Sequence, residues 1–455
     1  MAGFYSIELH KFGDDDIVKL MDQIWTYSAR SLVAAIFFFA AGCALQEIAP
    51  TTTASSIRTA SDVSSDEDSA ARLHDSMLVL DAHADIEYAD APSRYALPSG
   101  VSRVAPEKLQ AGKVDAVVMA VAVGPGPRDA EGYTAARATA DRKLQEVAAL
   151  VSNPANKMVL ATSADAVAQA ADSGNTAVIL GFQNARILGT QVSAIDEFYE
   201  GGVRVFALTH MGHNDFADSS RPVYRAETSS YEVNEEHGGL SPLGKEAIQR
   251  INELGAVVDV SQLSKAATLQ VLELTESPVV ATHSNVKALC DVRRNLSDEE
   301  IDQIAANNGV IHVAAFGGYL FDSDDQEMHQ EIVAARRVAG LPDKYDYPYE
   351  LYWELDDATV QSTYINAIRG ILGPGSIDAL LNHVDYIVER VGVDHVGIGN
   401  DFNHGGGIAG FNDAGDAQNI TQGLLERGYS EQDIAKIWGG NFLRVFAAAT
   451  ARSAQ

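Results

Sequence analysis

Cysteine is nearly absent. The 455 residues include two, Cys43 and Cys290, too few for a disulfide framework or for a zinc site built from several thiolates. Positive charge is scarce as well. Lys and Arg number 33 against 63 Asp and Glu, a formal net charge of −30. Such a surface has little with which to neutralise phosphates, and nucleic acid is excluded as a partner. The apolar run Leu32–Gly42 stops at signal-peptide length, short of a comfortable membrane span. No Gly-rich dinucleotide fingerprint follows the first strand-like run, which speaks against a doubly wound nucleotide-binding fold. No internal repeat is visible.

What is present is the composition of a soluble globular body, 46% hydrophobic and 21% charged, with enough chain for one large barrel or two domains. The N-terminal segment has a separate logic. Arg30 precedes the apolar run, and the run ends in Ala40-Ala41-Gly42-Cys43, a pattern similar to a bacterial lipoprotein processing site with Cys43 as the lipidated residue. The acidic triplet Asp14-Asp15-Asp16 is unlike an export signal, so Met21 is the expected start. Residues 44–70, rich in Thr, Ser, Ala and Asp, read as a flexible tether. The expected organisation is therefore an export signal at 1–43, a tether at 44–70 and a folded body at 71–450. The protein would be periplasmic, or held at a membrane through its lipid alone. Cys290 reads as a buried apolar residue.

Strand-like runs alternate with helical stretches along the body. The strands are expected at Met77–Asp81, Val114–Val123, Ala177–Phe182, Val203–Thr209, Val257–Val260, Pro278–Thr282, Val310–Ala314 and His395–Gly399. Helical patterns lie between them, for example Ser241–Leu254 and Ser297–Asn307. Ser297 opens a capping box with Glu300. Eight short apolar strands alternating with helices predict an α/β fold of the (β/α)₈ TIM-barrel type, a parallel sheet covered by helices and closed on itself. Long loops at Ala217–Gly239 and Phe316–Tyr352 follow strands and are expected on the catalytic rim.

The strand exits carry the polar residues. The first offers His83 and Asp85, two apart and so on one face of an extended chain. A nitrogen and an oxygen ligand placed this way suit a divalent metal. The third exit offers Gln183, the fourth His210, the fifth Asp259 and Gln262, the sixth His283 and the eighth Asp401 and His404. Singly, each is more simply a hydrogen-bonded structural residue. Together, on one barrel face, polar groups that converge need partners or a metal. His74, His237, His329, His383 and His395 are expected to be structural, and His312 to be a core residue or one that supports the ligands from behind. His213 and His404 are read as solvent-facing loop histidines, the alternative being that either replaces a lost metal ligand.

The segments Asp81-Ala-His-Ala-Asp85, Gly202-Val-Arg-Val-Phe-Ala-Leu-Thr-His210, Gly238-Gly-Leu-Ser-Pro-Leu-Gly244, Thr282-His-Ser284, Arg293-Arg-Asn295 and His395-Val-Gly-Ile-Gly-Asn-Asp-Phe402 resemble those of the membrane dipeptidases, amidohydrolase-type metallopeptidases. The resemblance runs from about Asp75 to Phe446. It implies a (β/α)₈ barrel, hydrolysis of dipeptides including those with a D-residue at the C-terminal side, a bridged zinc pair and a homodimer. It implies that His83 and Asp85 bind the first metal and His283 the second. His210 would polarise the scissile carbonyl, Arg294 would hold the substrate carboxylate, and Asp401 would contact metal and act as base. Family members usually carry Glu at the position of Gln183 and His at that of Gln262. Two adjacent dications need an anionic bridge, which a carboxamide cannot supply. The expectation is one tightly bound Zn²⁺ per chain at His83, Asp85 and Asp401, with Gln183, Gln262 and His283 offering at most a weak second site. The expected function is that of an exported metallo-dipeptidase. The rivals are a periplasmic maturation factor for a peptide natural product and a non-catalytic binding protein on the same barrel.

Overall fold

The computed structural model describes residues 69–225, 230–345, 347–349, 355 and 357–451. The expected export signal and almost all of the expected tether lie outside the described residues. The strands are β1 Leu80–Asp85, β2 Ala116–Ala122, β3 Met158–Leu160, β4 Thr176–Gln183, β5 Val203–Ala207, the small hairpin β6 Tyr224–Arg225 and β7 Ser230–Tyr231, then β8 Val257–Asp259, β9 Val280–Ala281, β10 Val310–Val313 and β11 Val396–Ile398.

Eight of them pair in parallel in the order β1-β2-β4-β5-β8-β9-β10-β11. The ring closes just beyond β11, where Ala84 bridges Phe402 and Asp85 N–H donates to Phe402 O at 2.9 Å. This is the (β/α)₈ barrel read from the strand–helix alternation. β3 is an addition that the sequence reading missed. It pairs only with β4, outside the ring.

Alternate residues of the strands face inward. Leu80, Ala82, Val118, Ile179, Val205, Val257 and Val310 pack as one cluster with Phe442, Val445 and Phe446 of the C-terminal helix Asn441–Thr450. These positions lie at or near the strand starts, so that helix closes the N-terminal mouth and leaves the C-terminal mouth for chemistry. The opposite face of each strand packs outward against the helices, as Phe182 does with Phe198, beside Phe206 of the next strand.

The first strand departs from expectation in a way that matters. It starts at Leu80, later than expected, and runs through Asp85, so His83 and Asp85 belong to the strand itself. A register shift interrupts its pairing with β2 between Asp81 and Ala84. Before the shift Leu80 and Ala82 face the lumen. After it Ala84 joins the outer layer. The bulge changes the phase of the pleat and turns His83 and Asp85 into the barrel.

Helix starts follow their caps. Ser241 Oγ accepts from Gly244 N–H at 3.1 Å at the head of the helix Pro242–Leu254. The expected capping box is present, with Ser297 N–H donating to Glu300 Oε2 at 2.8 Å before Asp298–Ala306. Asn285–Leu289, read as helical, forms turns instead. Cys290 is buried and unpaired, and burial pushes its thiol up to about 12. No helix among the described residues is long and apolar enough to cross a membrane.

Candidate metal and hydrolytic centre

Both imidazoles at the barrel mouth are oriented by one hydroxyl. Thr282 follows β9, and its Oγ1 donates to Asp259 Oδ2 at 2.5 Å. Asp259 Oδ1 accepts from the backbone N–H of Ser261 and of Thr282, at 2.8 and 3.0 Å. With its proton given to the carboxylate, Thr282 Oγ1 is left as an acceptor. It faces His283 Nδ1 at 2.8 Å and His83 Nδ1 at 3.2 Å. Each ring therefore carries its proton on Nδ1 and presents the Nε2 lone pair to the lumen. Second-layer bonding of this kind prepares histidines for a metal. The two rings stack with centroids 3.7 Å apart. Burial, with His83 adjoining, holds the His283 imidazole well below its ordinary value and therefore neutral.

Asp401 joins them from the far side of the ring closure. Its N–H donates to His83 O at 3.0 Å, and its backbone is left-handed, with φ of +57°. Gln262 and Asn403 share that conformation, at +70° and +64°. Such strain collects where a site is over-determined by its surroundings. Burial raises the Asp401 carboxyl above its ordinary value, against the pull of His404 and His83. Ligand atoms of His83, His283 and Asp401 all lie within 4.8 Å of one another, and all three residues are buried. This group could hold a metal ion.

Asp85 stands beside the trio. Its Oδ1 is buried without a hydrogen-bond partner and lies 3.7 Å from His83 Nε2, about the spacing of two ligands that each sit roughly 2.0–2.2 Å from one ion. Its Oδ2 is held by His404 Nδ1 at 2.8 Å and Lys143 Nζ at 3.9 Å. Burial opposes ionisation of Asp85, yet Lys143 and His404 together keep its carboxyl well below the usual range. In turn burial works against a charged His404, but Asp85 outweighs it and pushes that ring up to about 9. His404 is thus tied to the centre through Asp85 while its side chain stays partly exposed on the rim. His213 is not solvent-facing. It is buried, accepting from Ser219 N–H at 3.0 Å through Nδ1 and donating from Nε2 to Val233 O at 2.7 Å.

The remaining candidates surround this core. Gln183 and Gln262 each place Nε2 3.3 Å from His283 Nε2. Gln262 Oε1 is buried without a partner. The donor set fits one ion at His83, His283 and Asp401, with Asp85 adjoining His83. Beyond His283 the further donors are the two neutral carboxamides of Gln183 and Gln262, which do not fit a carboxylate-bridged pair. His210 is buried, its Nδ1 without a partner, and its ring stands edge-on to His404 at 4.8 Å. Burial keeps this imidazole well below its ordinary value and so neutral. Arg294 is buried; it donates from Nη2 to His283 O at 2.5 Å and from Nη1 to Ser284 Oγ at 3.1 Å, while Nε has no partner. Asp81 supports β1 and the last exit together, accepting from Asn400 N–H at 2.9 Å and His83 N–H at 3.2 Å. Burial pushes its carboxyl up to about 6.

The structural histidines are as expected. His74, His237, His329, His383 and His395 are each hydrogen-bonded away from the centre, and His312 is buried in the core. The sequence reading missed the Asp259–Thr282 pair as an organiser, and it missed Lys143. That lysine had a signal: it occupies the row Ala136, Ala140, Lys143, Val147, the buried stripe of the helix Ala130–Ser152.

The family model for membrane dipeptidases, peptidase family M19, matches residues 67–455. Among solved structures, the chain is similar to the probable dipeptidase PvdM from Pseudomonas aeruginosa, with 33% identity, TM-score 0.76, and coverage of 86% of this chain and 99% of that one. A metallopeptidase from Rhodobacter sphaeroides liganded with a phosphinate mimic of L-Ala-D-Ala shares the fold at TM-score 0.62 and 17% identity, covering 82% of this chain and 99% of that one. Among curated proteins, dipeptidase aclJ of Aspergillus oryzae is 28% identical over 60% of this chain and 51% of its own length. Dipeptidase tcpJ of Claviceps purpurea is 28% identical over 66% of this chain and 57% of its own. The chain thus spans little more than half the length of these two curated relatives.

Proposed function

The chain belongs to the membrane dipeptidase family, and from that premise we propose that it is an exported metal-dependent hydrolase of dipeptides or related small amides bearing a free carboxylate, including those with a D-residue at the C-terminal side. The observation that carries this reading is the buried convergence of His83, His283 and Asp401 beside the unpartnered Oδ1 of Asp85. One zinc ion is the proposed complement, held by His83, Asp85 and Asp401 with His283 alongside. When bound, it would polarise a carbonyl and lower the pKa of water.

The chain's own groups do the rest. Asp401, at the mouth of the barrel, takes the proton of the attacking water and returns it to the leaving amine. His210 is neutral and can donate an N–H to the carbonyl oxygen as it gains negative charge. Arg294 has its two terminal nitrogens tied to His283 O and Ser284 Oγ, which fixes the guanidinium plane. Its Nε–H remains for the substrate carboxylate. The proposed place of action is the periplasm, with the lipidated Cys43 as anchor.

The test is a panel of dipeptides with L,L and L,D members and their C-terminal amides, incubated with zinc-supplemented protein and analysed by mass spectrometry. The expected result is cleavage of the free acids over the amides, lost in Asp401→Asn. Metal-loaded protein that cleaves no member of the panel contradicts the proposal.

A further inference from the structure

A cavity of about 640 Å³ opens on the C-terminal rim beside the centre, lined by His404 on one side and by the segment after β10 on another. Its walls hold three arginines, Arg94, Arg221 and Arg369, and none of its described lining residues is acidic. The chain as a whole carries a net charge of −30, so three arginines around one cavity stand out. The rest of the lining combines five Phe and Tyr rings with glycine-rich backbone. Phe316 stands edge-on to Tyr319 at 4.5 Å and is parallel to Tyr349 at 6.2 Å. Arg221 lies over the Tyr347 ring at 4.5 Å, and Tyr95 stacks on His404 at 5.3 Å. Rigid aromatic walls with guanidinium groups at their edges suit a ligand that is itself flat and anionic, since rings stack on rings and carboxylates pair with guanidinium forks. The volume is that of a whole ligand pocket, and it lies outside the cluster of His83, His283 and Asp401.

We propose that this cavity is a binding subsite for an acidic peptide segment carrying an aromatic side chain, so that the preferred substrate is longer than a dipeptide. This rests on the reading of the neighbouring centre as an amide hydrolase and adds the substrate class. Arg369 and Arg94 are exposed, Arg369 on the helix Ala358–Leu372 and Arg94 on the loop after β1, so they can be changed without disturbing the core. Arg221, Tyr319 and Phe316 form the inner wall.

The experiment is isothermal titration of the full-length protein with alanyl-alanine, with the tetrapeptide phenylalanyl-aspartyl-alanyl-alanine, and with the same tetrapeptide carrying asparagine for aspartate. Products in each sample are read by mass spectrometry. The acidic tetrapeptide is expected to bind at least about ten-fold tighter than alanyl-alanine, the yield of one charge-assisted contact, and asparagine should remove most of that gain. Arg369→Gln and Arg94→Gln should each weaken the acidic tetrapeptide more than its asparagine counterpart. Tight, arginine-dependent binding without cleavage upholds the subsite and overturns only the hydrolase reading. Cleavage of alanyl-alanine with no preference for the acidic tetrapeptide, or equal loss on both tetrapeptides in the arginine variants, overturns the subsite.

Discussion

Thr282 is the residue on which the centre turns. One hydroxyl fixes the tautomer of two histidines because Asp259 takes its proton. Thr282→Val keeps the shape and removes both bonds, leaving the buried Asp259 Oδ2 short of a donor. The expected outcome is a loss of metal affinity of about 10–100-fold, the usual scale for second-layer partners, with substantial recovery in Thr282→Ser. Competition against a fluorescent chelator measures it. Unchanged affinity in Thr282→Val would mean that the imidazoles are held by their stacking alone. At this scale the sequence was informative about residue types and weak about contacts. His83, Asp85, His283 and Asp401 stand out by their position at strand ends. Lys143 does not, and His404 is visible at its strand exit without its role, because both act by reaching Asp85 from 58 and 319 positions away in the chain.

The elements that deliver these residues depend on close backbone approach. Gly399 follows β11, and a Cβ there would fall 1.8 Å from Thr282 O. The bare backbone lets the exit carrying Asn400 and Asp401 lie against the exit carrying Thr282 and His283. Gly399→Ala is expected to destabilise by at least the roughly 1–3 kcal/mol typical of overpacking and to release metal by moving Asp401. Urea unfolding and retained metal report the two effects separately. An alanine variant with wild-type midpoint and metal content would contradict it. All eight barrel strands were legible, since strands buried on both faces read as short apolar runs between helical patterns. The ends were less so. The run Met77–Leu80 marks β1 too early because the strand continues through His83 and Asp85, whose polarity hides them. The bulge that turns them inward has no glycine or proline to announce it. β3 is three residues long, and two of them are exposed, so it leaves no alternation to detect.

For the molecule as a whole, acid sensitivity is built into the core. His312 and His383 are buried and neutral, and burial lowers each from 6.5 to about 4. Between those values the unfolded chain binds protons that the folded chain refuses. Stability is therefore full above about pH 6.5, falls as the pH drops through that window and levels off below it, by on the order of 3 kcal/mol per ring. His383 Nδ1 accepts from Val286 N–H at 2.9 Å, and a glutamine carbonyl can do the same without titrating. Melting temperatures from pH 7 to pH 4.5 should fall less steeply in His383→Gln than in the unmodified protein. Parallel curves would show that this ring does not set the slope.

The charge balance of the centre leads to its most direct test. Gln183 and Gln262 stand at 3.3 Å from His283 Nε2, where a second dication would need an anion and a nitrogen. The measurement is metal stoichiometry by elemental analysis on purified protein, unmodified and carrying Gln183→Glu together with Gln262→His. The unmodified chain should hold about one tightly bound zinc ion, and the double variant should move towards two with faster dipeptide turnover. Two ions at full occupancy in the unmodified chain would show that neutral carboxamides suffice beside His283, and no tightly bound ion at all would show that His83, Asp85 and Asp401 do not form a metal site.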